Sequence, residues 1–333
     1  MDKTIIFHVE GGCGKNIMAT AVAEAIKKNH PDRKLIICAT WAQVWVNNPN
    51  IDRFYPLGNT PYFFEDFIKD KDTWIFKSEP YHHQDFLNGR RHLTDIWCEQ
   101  FNIKYDGEIP RIYLSKHEKK NIERTIGHYG KPIFALQTNG GGPQDFPISW
   151  VRDVPISNIK DIIDEVSKEY KVIHIRRPDQ PEIKDVDFLC TPNIRDLFSL
   201  IWYSHNRLLI DSFGQHAARA LDKKSTVLWP IDNTVQLGYN DFHTNIVSNA
   251  DTNKVHLIDS YLGVHPINGE LLHECPFDND DIFDQQSVKD SINELGEPNL
   301  YIPPTESSSS CCNPSNKAIN ISGGLPYGRP IMK

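Results

Sequence analysis

The stretch LLIDSFGQHAARALDKKSTVL, residues 208–228, contains one complete step of an α/β fold. Leu208, Leu209 and Ile210 form a short apolar run, the mark of a strand buried on both faces. Asp211 and Ser212 end it, and both are residue types that cap helices. A helix is expected over 215–221 and a further strand over 226–228. In a parallel sheet such a helix starts at the carboxyl end of the preceding strand. Its unpaired N–H groups and positive dipole end suit that point to an anion. Ser212, Gly214 and the backbone N–H groups of Gln215 and His216 are the candidate contacts, with His216 on the first turn. The plainer alternative is that Asp211 and Ser212 only cap the helix while His216 packs on the sheet.

The same alternation extends upstream. Strands are expected over 133–137 (IFALQ) and 172–175 (VIHI), with helices over 158–170 and 194–203. The strand at 133–137 runs into a glycine-rich loop, placing Thr138, Asn139 and Gly140 at its carboxyl end. An earlier series opens with TIIFHV (4–9), the loop EGGCGKN (10–16) and a helix over 16–29, with Ile17, Met18, Ala21, Val22, Ala25 and Ile26 at helical spacing. Pro31 stops that helix. Strands at 35–39 and 73–76 and helices over 90–101 and 115–127 complete the first half. Two such series imply two Rossmann-like domains, residues 1–130 and 131–300, divided near GHYGK (127–131). A helix over 288–295 is expected to pack back on the body. Residues 301–333, rich in Ser, Pro, Gly and Asn, read as a flexible tail.

Composition narrows the function classes. The 333 residues carry 36 Lys+Arg against 44 Asp+Glu, a formal charge of −8 with no basic block, which argues against nucleic acid as a partner. No apolar run is long enough for a membrane helix, so membrane contact is expected to be peripheral at most. The N-terminus lacks the sections of a signal peptide, and the seven Cys include no CxxC pair, so a reducing, cytoplasmic setting is expected. No His, Asp or Glu spacing suggests a metal site.

The loop Gly11-Gly12-Cys13-Gly14-Lys15 has two readings. It is similar to a GGxGK phosphate loop, which would make the chain an ATPase. However, Asn16 stands where magnesium needs a hydroxyl, and Glu10 would repel a triphosphate. Otherwise it is a tight turn between strand and helix.

Residues 211–218, DSFGQHAA, resemble the D-[ST]-G-x-x-H-[LA]-A motif of family 9 glycosyltransferases, the heptosyltransferase family. VLWPIDN (227–233) is similar to that family's next strand and loop, and NIRDLF (193–198) to a helix entry upstream. GKNIMAT (14–20) is similar to its G-D-x-[VL]-x-x-T, and NPNID (48–52) to the N-P-x-[IV]-D before its third strand. The order is kept over roughly residues 4–240. The resemblance implies a GT-B fold, α/β, with two Rossmann-like domains whose parallel sheets face each other across a cleft. It also implies inverting, metal-independent transfer of a sugar from a nucleoside-diphosphate sugar to a glycan or glycolipid hydroxyl. The donor is a substrate and no cofactor is needed; the oligomeric state is left open. Donor contacts would be Gly12, Gly14, Thr138, Asn139, Gly140, Arg152, Asp211, Ser212, Gly214, Gln215 and His216.

The family's catalytic Asp follows the loop glycine, where this chain has Lys15. Three explanations stand: Glu10 is the base; Lys15 binds an anionic donor or acceptor; or the protein binds a nucleotide sugar without transferring it. The favoured assignment is Glu10 as base with Lys15 as anion contact. Phe213 replaces a family glycine, so the donor sugar is not carried over. HHQDFLNGRRH (82–92) forms a local basic cluster that an acidic acceptor would suit, unless it is only a solvated helix start.

Overall fold

β1 (Lys3–Val9) is buried along most of its length because parallel neighbours flank it on both sides. In the computed structural model, which describes residues 3–141, 149–249, 282–296 and 318–319, it is an inner strand of a four-stranded parallel sheet. The other strands are β2 (Lys34–Ala39), β3 (Arg53–Pro56) and β4 (Asp72–Phe76), in the order β3-β2-β1-β4. In chain order α1 (Cys13–Asn29) and α2 (Phe63–Phe67) lie between these strands, and α3 (Gln84–Leu87), α4 (Leu93–Gln100) and α5 (Lys116–Ile126) follow them.

The second sheet has seven strands: β5 (Ile133–Leu136), β6 (Lys171–Ile175), β7 (Asp187–Leu189), β8 (Asn206–Ile210), β9 (Thr226–Trp229), β10 (Thr244–Val247) and β11 (Ala318–Ile319). All pair in parallel in the order β10-β9-β8-β5-β6-β7-β11. Its helices are α6 (Lys160–Glu169), α7 (Ile194–Tyr203), α8 (Phe213–Ala220), α9 (Thr234–Leu237) and α10 (Gln285–Leu295). β5 and β8 are buried throughout, as inner strands covered on both faces must be.

α1 fixes how the halves meet. Only Glu24, Lys27, Lys28 and Asn29 of its seventeen residues reach water. A helix apolar on nearly every side has to be covered on nearly every side. One side lies on the first sheet. Another meets α8, so that Ile17, Met18, Ala217 and Ala218 belong to one apolar cluster continuous between the two sheets. Arg195, on α7, ties the same halves by polar contacts. It bonds the Gln43 carbonyl at 3.0 Å, the Tyr113 carbonyl at 2.7 Å and the carboxylate of Glu118. Glu118 also closes a capping box with Ser115 at the start of α5.

Several boundaries differ from the sequence reading. α1 begins at Cys13, so Gly14, Lys15 and Asn16 are helical and only Glu10–Gly12 form the loop. α4 begins at Leu93 rather than near residue 90, because the His92 side chain accepts the Thr94 N–H as its cap. β7 and β10 are short strands whose half-polar sequences gave no pattern. α10 packs on β8 and β9 as expected, with the Thr226 and Ser291 hydroxyls 2.7 Å apart. Ala318–Ile319, within the segment read as a tail, pair with β7. The rest of that segment lies outside the described residues.

Candidate functional site

The loops singled out from the sequence sit at the carboxyl ends of inner strands. From there α1 and α8 start towards each other. Their first turns touch: a Cβ on Gly14 would fall 2.7 Å from His216 Cδ2, 3.2 Å from its Nε2 and 3.7 Å from the Phe213 Cα. Glycine is needed here for space. Gly214 is crowded in the same way, with the Gln137 side-chain oxygen where its Cβ would lie.

The second-domain wall is continuous. Arg152 Nε lies 3.6 Å from Asp211 Oδ2, and Arg152 also packs beside Gly140. Burial pushes the Asp211 carboxyl above the usual carboxylate range, and the Arg152 charge opposes that. The Gly140 N–H donates to Asp153 Oδ1 at 2.7 Å, and the Thr138 hydroxyl lies 2.8 Å from His174 Nε2 and 2.7 Å from Asn139 Oδ1. Burial pushes the His174 imidazole down to about 3, so it is neutral at ordinary pH. Ser212 occupies the N-cap of α8, but its side chain makes no capping bond, contrary to expectation. Thr138, Asn139, Gly140, Arg152, Asp211, Ser212 and Gly214 thus lie along one edge of the second sheet.

His216 and Gln215 are pinned at the junction. His216 Nδ1 lies 3.0 Å from the Tyr239 hydroxyl, and burial holds this imidazole well below its ordinary range. The Gln215 side-chain amide donates to the Leu237 carbonyl at 2.9 Å, and the Gln215 backbone carbonyl lies 3.1 Å from His243 Nε2. His216 is thus packed at the domain junction, between Tyr239 and Gly14. Tyr239 and Gln137, which do the pinning and crowding, were not legible in the sequence.

On the first-domain side Gly12 caps α1, and the Asn16 side-chain amide donates to the Gly12 carbonyl at 3.0 Å. Glu10 is exposed. Its carboxylate pairs with Lys77 at 3.0 Å and lies 3.4 Å from His8 Nε2; the Lys77 hydrogen bond holds its carboxyl below the usual range. Lys15 has a different partner from the anionic ligand expected. Its side chain is buried, and its ammonium bonds both carboxylate oxygens of Glu79, at 2.8 and 2.7 Å. A buried ammonium requires a counter-charge, and Glu79 supplies it. The same ammonium would have to meet the phosphates in the ATPase reading. Glu79 gave no sequence signal, being one acid in a loop, 64 positions from its partner.

The basic cluster of residues 82–92 is neutralised by nearby acids, Asp85 within it and Asp95 and Glu99 on α4. Arg91 pairs with Asp85, Asp95 and Glu99, while His83 and His92 cap helices. The helix-start reading of that segment fits this geometry. Among the described residues no group of three or more His, Cys, Asp or Glu is arranged to hold a metal, and no helix is long and apolar enough to cross a membrane.

The two sheets, their order and the opposed helix starts define the GT-B class of α/β fold. The chain has this fold in the form found in family 9 glycosyltransferases and heptosyltransferases. It is similar to a family 9 glycosyl transferase of Veillonella parvula, with a TM-score of 0.59 at 14% identity over 89% of this chain and 98% of that one. It is similar to E. coli ADP-heptose LPS heptosyltransferase II, with a TM-score of 0.59 at 12% identity over 88% and 98%. It is also similar to the iron-containing dodecameric glycosyltransferase TibC of enterotoxigenic E. coli, with a TM-score of 0.60 at 13% identity over 88% and 76%. No family model and no curated protein matches the sequence. The motif resemblance and the fold point to the same class.

Proposed function

We propose that this protein transfers a sugar from a nucleoside-diphosphate sugar to an acceptor hydroxyl, with inversion and without a bound metal. The observation that carries this reading is the meeting of the α1 and α8 N-termini at Gly14 and His216, beside the Arg152–Asp211 pair. The donor diphosphate lies at the start of α8, where N–H groups and the Arg152 guanidinium face the charge that grows as the sugar leaves. Asp211 orients Arg152 from behind. The acceptor enters from the first-domain side, so its oxygen attacks the anomeric carbon opposite the departing diphosphate. That carbon exchanges the diphosphate oxygen for the acceptor oxygen, and its configuration inverts.

The donor class is supported by fold neighbours, one of them solved with ADP-D-β-D-heptose and another with ADP. Phe213 places a ring at the first position of α8, so the donor's sugar and base are this chain's own. The acceptor is a glycan or glycolipid, and the protein works in the cytoplasm. The test incubates the protein with a panel of ADP-, UDP-, GDP- and CMP-sugars, in chelator, with mixed glycan acceptors. Release of the nucleotide with formation of a product of opposite anomeric configuration supports the proposal. Tight donor binding without release, from every donor, would instead make the protein a nucleotide-sugar binder.

A further inference from the structure

Glu10 and Glu79 both belong to the first domain, and only one of them is held in place. Glu10 reaches out to Lys77, with both side chains more than half exposed. Such surface pairs fix geometry weakly. Glu79 follows β4 by three residues and is bound through both oxygens to Lys15, whose side chain is 3% exposed. Lys15 adjoins Gly14 in the first turn of α1, the turn that abuts His216. The ammonium is fixed in turn by the rings of Tyr81 and Trp97, 5.2 and 5.3 Å from its nitrogen. Glu79 is thus anchored to the helix start that faces the second domain.

The Glu79 side chain remains 36% exposed. A carboxylate offers about four lone-pair sites, of which Lys15 takes two, so others remain for a hydroxyl. The chain beyond Glu79 leads to the domain junction. Gly89 lies beside Gln236, and the His92 ring stands 5.6 Å from that of Tyr239. Lys15 occupies the sequence position at which the motif resemblance expects an acid, and it brings an acid to that place from another loop.

The geometry points to Glu79 as the general base of the transfer, with Lys15 as its positioning residue. This assignment rests on the glycosyl-transfer reading. In the step, the acceptor oxygen forms a bond to the anomeric carbon while the bond from that carbon to the diphosphate oxygen breaks. The bonding pair leaves with the diphosphate, and the acceptor proton passes to a Glu79 oxygen. Lys15 keeps its proton throughout and holds the carboxylate in line.

The experiment uses two nucleophiles that differ in their need for a base. Nucleotide release from the donor panel is measured with water alone and with added azide, for the wild type and for Glu79→Gln. Water must lose a proton as it attacks, whereas azide has none to lose. The expected result is a loss of water-dependent release of about 10²–10⁴-fold in Glu79→Gln, the usual worth of a general base, with azide-dependent release at the wild-type rate. Water-dependent release unchanged in Glu79→Gln, but lost in Glu10→Gln, overturns the assignment and gives the role to Glu10. Loss with both nucleophiles also overturns it, because Glu79 then serves the fold or the donor site. No release from the wild type with either nucleophile counts against the transfer reading itself. If Glu79→Gln does not fold because Lys15 is left buried without its counter-charge, Glu79→Gln combined with Lys15→Met removes both charges and carries the same comparison.

Discussion

Gly14→Ala tests whether the two domains are joined where the structure joins them. The added methyl would lie 2.7 Å from His216 Cδ2, well inside van der Waals contact. The imidazole has little freedom to retreat, being buried and bonded to the Tyr239 hydroxyl at 3.0 Å, and the Phe213 backbone closes the other side. Overpacking of this kind costs about 1–3 kcal/mol, while replacing a helical glycine by alanine returns about 1 kcal/mol or less in a first turn. The expected net loss is about 1–2 kcal/mol. Urea unfolding of Gly14→Ala, His216→Ala and the double variant forms a cycle. Removing the ring relieves the collision, so the alanine at residue 14 should cost nothing in the His216→Ala background. The coupling energy should then be about 1 kcal/mol or more. If Gly14→Ala is as stable as the wild type, or if the two effects simply add, the close approach of α1 and α8 is refuted.

Arg195→Leu removes the guanidinium shared by Glu118, Gln43 and Tyr113, leaving two carbonyls without this donor and Glu118 with only its Ser115 bonds; unfolding should show a loss of about 2–4 kcal/mol, and a loss below about 1 kcal/mol would deny the bridge. Burial lowers the imidazoles of His92 and His243 to about 4 and that of His174 to about 3, while the unfolded chain takes up these protons near 6.5. The folded state excludes protons that the unfolded state binds, so stability should be full above pH 6.5. It should then fall towards pH 4 by up to about 1.4 kcal/mol per pH unit for each group, and a flat profile between pH 7 and 5 would contradict the burial of these rings. Arg152→Met leaves Asp211 buried without its counter-charge, so the carboxyl should take up a proton. Nucleoside-diphosphate affinity should then fall about tenfold or more, the worth of a charge-assisted contact, and undiminished affinity would remove Arg152 from the donor site.

What the sequence disclosed was local. The run at 208–210 and the cap types at 211–212 place a strand and a helix start without any knowledge of their surroundings, and the same holds for β1 and α1. The alternation of such units was enough for two parallel sheets. Features created by distant residues were invisible. Lys15 read as a cation in want of an anion, and nothing nearby shows that Glu79 meets it from 64 positions away. The cluster at 82–92 read as basic because its compensating acids, Asp95 and Glu99, lie on the following helix. His216 read either as a ligand contact or as a ring packed on the sheet, because its spacing in the motif carries no sign of Tyr239 or Gly14. β7, at three residues, is too short for any periodicity to register. The fold was therefore readable from patterns of a few residues, whereas the roles within the site depended on packing between the domains.

The most direct test of the account is a thermal-shift series on the purified protein with ADP, UDP, GDP, CMP and ATP, each in magnesium and in chelator, repeated with Arg152→Met. Ligands that bind the folded state raise the melting temperature. The account predicts a rise with one nucleoside diphosphate that persists in chelator and is lost in Arg152→Met. A rise confined to ATP with magnesium, unaffected by Arg152→Met and abolished by Lys15→Met, would contradict it and place the chemistry in the first glycine loop.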